Sequence, residues 1–170
     1  MKGWMAVICA GLVLLSGVAN GMTVGERTGH FEIYYADPSM SGNMDGVGQT
    51  LENSYREVNG LLGTCPGFIK VLIVGKKTMD DVGKHVEAFS AWNSKSSAIV
   101  LREQSCKDKK SLKVVTEHEI CHLGINNILA GKDSKELSWM EEGTCMVVSH
   151  EPFSDQKVSR YILQQGFLST

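Results

Sequence analysis

The stretch Val115-Thr-Glu-His118-Glu119-Ile-Cys-His122 decides how this chain is read. It holds HExxH inside a helix-periodic segment, residues 111–129, with Leu112, Val115, Cys121, Ile125 and Leu129 on the expected inner side. A helix turns about 100° per residue, so positions i and i+4 lie about 40° apart and one turn along. His118 and His122 can therefore reach one cation. Glu119 is rotated about 100° from His118 and stands beside that cation, placed to hold a water.

A third ligand is expected downstream, in Ser138-Trp-Met-Glu141-Glu142-Gly143 on a helix over residues 138–149. Ser138 followed three residues later by Glu141 has the spacing of a capping box, which turns Glu141 back toward the Ser138 amide. Glu142, rotated away, is left free as the ligand, with Glu141 as the alternative. Two histidines and one carboxylate leave the fourth tetrahedral position to water, the arrangement of a catalytic zinc site. Zn2+ lowers the pKa of that water toward ~7, and Glu119 takes its proton. The expected metal ligands are thus His118, His122 and Glu142, the catalytic base Glu119 and the cofactor Zn2+.

The pattern changes upstream. Residues 30–37 alternate as a half-buried strand, and residues 68–74 are apolar enough for a central one. Between them Pro38-Ser-Met-Ser-Gly42 reads as a turn. Residues 44–62 read as a helix on Met44, Val47, Leu51, Tyr55, Val58 and Leu62, ended by Gly60 and Gly63-Thr-Cys-Pro-Gly67. Thr78 is the expected cap of a short helix over 79–86. Residues 88–102 look like an antiparallel pair around Asn93-Ser-Lys-Ser96, and 103–110 like a charged loop. A last helix is expected at 155–165. Strands first and helices later predict an α+β fold: a small mixed or antiparallel sheet with an edge strand, then a helical half carrying the HExxH and glutamate helices.

Residues 1–21 differ from the rest. Lys2, an apolar run to Val18 and Ala19-Asn20-Gly21 have the parts of a secretory signal peptide, and the run is short for a membrane span. The expectation is an exported protein, secreted or periplasmic, with residues 22–170 as one domain and no stable membrane insertion after cleavage. A formal charge of -2 gives no basic excess to recruit nucleic acid. Four cysteines remain beyond the signal, enough for two disulfides in an oxidising compartment. Cys65 and Cys106, in loops beside strands, are the expected pair. Cys121 and Cys145 meet if their helices meet, as a disulfide, as buried thiols or as a fourth zinc ligand.

His118-Glu119-Ile-Cys-His122 and Trp139-Met-Glu-Glu142-Gly143, nineteen residues apart between His122 and Glu142, together resemble the gluzincin metallopeptidases of clan MA. Within them the chain is similar to the small peptidase-MA-like secreted proteins. The resemblance implies a zincin-like fold, the same three zinc ligands, Glu119 as base and a peptide or protein substrate. It also implies that the strand Ser97–Arg102 is an edge along which extended substrate lies, and that Gly143 lets the glutamate helix approach the zinc helix. Two positions depart. Thr144-Cys145 stands where an apolar pair is common. Met146 stands where thermolysin-type enzymes place an aspartate that orients a histidine, so the partners of the ligands are unassigned. His150 and Tyr161 are the candidate donors to a transition-state oxyanion; His30 and His85 have no partner spacing, and Trp92 and Trp139 read as core aromatics. The alternative to a peptidase is a non-catalytic, zinc-stabilised peptide-binding domain on the same scaffold.

Overall fold

The computed structural model describes residues 23–129 and 138–151. The signal-peptide segment, the 155–165 helix and Tyr161 lie outside the described residues. The alternating segments become strands: β1 (Thr23–Arg27), β2 (Phe31–Tyr35), β3 (Ile69–Val74), β4 (Ala88–Trp92) and β5 (Ser97–Arg102). They form one five-stranded mixed sheet in the order β1-β2-β3-β5-β4. The three inner strands run parallel, and β1 and β4 pair antiparallel at the two edges. The fold is α+β, as the sequence implied.

Side chains on β3 separate by parity. Ile69, Val71 and Ile73 enter the main core with Phe31, Ile33, Ile99 and Leu101. Leu72 and Val74 face the other way, toward Met79, Ala98 and Val100. The main core is closed by two helices, α1 (Val47–Leu62) and α4 (Lys109–Ile128). Helix α1 buries Val47, Leu51, Tyr55 and Val58 and ends at Gly63, whose φ of 72° is the left-handed conformation that glycine adopts at low cost. Helix α4 buries Leu112, Thr116, Ile120, Cys121 and Leu123. Between the two, Lys113 bridges Glu57 of α1 and Glu117 of α4.

Several boundaries moved, each for a local reason. The turn after β2 is a 3₁₀ helix, Pro38–Asn43, capped by Asp37, whose carboxylate accepts the Ser39 amide. The short helix α2 is Lys76–Val82, with extended Gly75 at its N-cap and Thr78 inside it rather than before it. The charged loop holds one helical turn, α3 (Glu103–Cys106). Helix α4 starts two residues before Ser111, because Asp108 accepts both the backbone and hydroxyl protons of Ser111. Strand β1 had no sequence signal; it carries a bulge at Gly25, where a Cβ would fall on the Tyr35 ring. Trp92 and Trp139 are 41% and 50% exposed, so neither is a core aromatic.

The edge assignment is corrected as well. Ser97–Arg102 is an interior strand, flanked by β3 and β4, and the edge on this side is β4. Arg102 fixes the approach to that edge. Its nearly buried guanidinium donates to the Val86 carbonyl and to Asp80, which pins residues 80–87 at the start of β4. Among the described residues, no helix is long and apolar enough to cross a membrane.

Candidate metal centre

Helix α4 presents His118 and His122 one turn apart, and the last helix, α5 (Ser138–Val148), crosses it to bring Glu142 opposite. The His118 and His122 Nε2 atoms stand 3.1 Å apart. Glu142 places one carboxylate oxygen 3.4 Å from His118 Nε2 and the other 3.5 Å from His122 Nε2. Ligand atoms 2.0–2.1 Å from a tetrahedral ion stand roughly 3.3 Å from one another. The two nitrogens stand near that spacing, and the Glu142 carboxylate faces them with one oxygen toward each.

The opposite edges of the two imidazoles carry their own carboxylates. His122 Nδ1 hydrogen-bonds Glu141 Oε1 at 2.8 Å, whereas His118 Nδ1 stands 2.8 Å from Glu151 Oε1 as an ion-pair contact without a hydrogen bond. A Nδ1–H donating to a carboxylate leaves Nε2 as the lone-pair atom and makes the ring more basic. For His122 that leaves Nε2 to face His118 Nε2 and the Glu142 carboxylate, and the three residues are a donor set able to hold a metal ion.

The titration of these groups shows the same pull. Burial alone would lower the His118 imidazole, but Glu142 and Glu151, with Glu119, outweigh it and hold its pKa up at about 10. His122 rises too: burial opposes it, and Glu141, Glu119 and Glu142 prevail. Burial would raise Glu142, but both histidines hold its carboxyl below the usual range.

Glu119 points elsewhere, as its rotation on the helix implied. It is buried, and that burial raises its pKa, opposed by the two histidines and by a hydrogen bond from Ser90 of β4. It lines a cleft of about 400 Å³ with His85, Ala88, Val115, His118 and Glu151. A neighbouring hollow of about 450 Å³ shares Glu87, Val114 and Val115 with it, so one groove runs between the β4 edge and the first turns of α4. Such volumes fit a few residues of peptide.

The structure brings His118, His122 and Glu142 together and sets Glu119 in the cleft that His118 also lines. Glu141 lies outside the group able to hold a metal and instead hydrogen-bonds His122 Nδ1. Glu151 was missed; it sits nine residues past Glu142, at no motif spacing, and it supplies what Met146 lacks. His85 was set aside and lines the cleft. His150 goes the other way: it is exposed, at a φ of 54°, and does not belong to the group able to hold a metal. Gly143 is not needed for close helix approach, because a Cβ there would meet nothing within 4 Å. The cysteines are also corrected. All four are free thiols, and the pair brought together is Cys121 with Cys145, not Cys65 with Cys106. Cys106 Sγ instead donates to the Arg102 carbonyl.

What fold and site define together is an α+β domain with a His-His-Glu group able to hold a metal, open to a groove beside a sheet edge. No family model matches the chain, and no curated protein or solved structure matches it.

Proposed function

We propose that this protein is an exported zinc metallopeptidase of the gluzincin type that hydrolyses bonds in a peptide or protein substrate. The observation that carries this reading is the convergence of His118 Nε2 and His122 Nε2, 3.1 Å apart, on the two oxygens of Glu142 at 3.4 and 3.5 Å, with a buried Glu119 beside them. His118, His122 and Glu142 would hold the zinc. Once bound, it supplies Lewis acidity to a scissile carbonyl and lowers the pKa of an attacking water.

The chain's own groups do the rest. An extended substrate pairs with the open edge of β4 and lies over Val114 and Val115 in the groove. Glu119 accepts the proton of the attacking water and returns it to the leaving amine; a carboxyl raised by burial is better matched to that exchange near neutral pH. Ser90 keeps the Glu119 carboxylate aimed from the strand that binds substrate. Glu141 fixes the tautomer of His122 through its hydrogen bond, and the Glu151 carboxylate stands beside His118 Nδ1 as a charge partner.

Metal content and cleavage of a peptide library, measured on the wild type and on Glu119→Gln, test this. The expected result is one zinc per chain in both proteins, with cleavage by the wild type alone. Zinc in both and cleavage by neither would assign the scaffold to peptide binding without turnover. Absence of zinc from the wild type would sink the reading altogether.

A further inference from the structure

Cys121 and Cys145 are each 0% exposed and sit on the two helices that build the metal centre. Cys121 follows His118 by three residues and Cys145 follows Glu142 by three, so each lies about one turn along from a ligand on its own helix. Their side chains hydrogen-bond each other. The helices are held at this spot by the 2.8 Å contact of His122 with Glu141. Neither thiol belongs to the group able to hold a metal, which is His118, His122 and Glu142. The pair is packed against that centre without being part of it.

We propose that Cys121 and Cys145 are joined as a disulfide when the chain folds in an oxidising compartment, stapling the glutamate helix α5 to the histidine helix α4. A disulfide needs Cα atoms about 4.4–6.8 Å apart and Cβ atoms about 3.5–4.5 Å apart. Two buried thiols in side-chain contact across α4 and α5 are the pair placed to meet it. The oxidant is a small-molecule disulfide, RSSR. One cysteine thiolate attacks it, forming a protein–SR mixed disulfide and releasing RS⁻. The second thiolate displaces the other RS⁻ from that mixed disulfide. Two protein S–H bonds and one S–S bond are exchanged for one protein S–S bond and two RSH, the two protons passing to the released thiolates. Both sulfurs are buried once the core closes, which places the exchange during folding.

The other thiols compete poorly. Cys106 lies beside β5, donating to Arg102 O at 3.6 Å. Cys65 is half-buried and is the closer rival: its sulfur is 3.3 Å from where a Cβ on Gly124 would lie, one turn past Cys121.

The test refolds the full chain from denaturant with oxidised and reduced glutathione, alkylates the remaining thiols, and maps the cross-link by peptide mass spectrometry. The expected product links the Cys121 and Cys145 peptides, with Cys65 and Cys106 alkylated. The bond closes a loop of about 25 residues, so the oxidised form should melt roughly 5–15 °C above the reduced form. A Cys65→Ser/Cys106→Ser variant should form the same link and show the same rise. A Cys65–Cys121 link, or alkylation of both Cys121 and Cys145 in folded protein, overturns the proposal. The readout is on the wild-type chain and needs no metal, so it stands apart from the peptidase reading.

Discussion

Glu119 has neighbours that push its acidity in opposite directions. Burial raises its pKa and Glu142 adds to the rise, while the two histidines and the Ser90 hydroxyl lower it. A carboxylate base is lost as pH falls through its pKa. Ser90 bonds the ionised form, so removing that bond raises the pKa, and the acidic limb of kcat/KM should move to higher pH in Ser90→Ala. An acidic limb that stays in place in this variant would show that Ser90 does not tune the base. The carboxylates behind the histidines give a second expectation. Glu141→Gln and Glu151→Gln should each weaken zinc binding about 10–100-fold in a chelator competition, by loosening ring orientation and lowering ligand basicity. Met146→Leu should leave zinc affinity unchanged, since the carboxylates beside the two Nδ1 atoms are Glu141 and Glu151.

Two glycines show how the same substitution takes opposite signs in different elements. A Cβ on Gly124 of α4 would stand 2.6 Å from Leu62 Cδ1 and 3.0 Å from the Thr64 carbonyl oxygen. Leu62 can give, but the backbone carbonyl just after α1 cannot move without unseating the C-cap. Overpacking costs about 1–3 kcal/mol, more than the ~1 kcal/mol of helix propensity that alanine adds. Gly124→Ala is therefore expected to lower Tm by a few degrees. Gly143 of α5 faces open space, so Gly143→Ala collects the propensity alone and should raise stability by up to ~1 kcal/mol in denaturant unfolding. Equal shifts in both variants would contradict this packing of α1 against α4.

For the whole molecule, a ligand set drawn from two helices makes metal binding a folding contact. Anything that binds only the folded chain stabilises it by about 4.1 kcal/mol at a thousand times its Kd. Adding zinc to apo protein should raise Tm, a chelator should reverse the rise, and His118→Ala should remove most of it; calorimetry reads all three. The open β4 edge works at the same scale. Among the described residues no strand pairs with its outer side, and in the proposed reading a substrate strand completes it.

The sequence by itself determined the strands of the inner sheet and the two histidines with Glu119, because these follow from periods of 2 and 3.6 residues, which are local rules. That Glu142 rather than Glu141 faces both Nε2 atoms was also legible, from rotation along one helix. Only the tertiary structure decided which strand is the edge, since pairing order is not written in any one strand's pattern. It also decided the carboxylates behind the histidines. Glu151 reaches His118 from beyond the end of α5, and His85 reaches the cleft because Arg102 pins its segment, contacts set by how the elements cross. The cysteine pairing belongs to the same class: loop positions pointed to Cys65 and Cys106, whereas the crossing of α4 and α5 brings together Cys121 and Cys145.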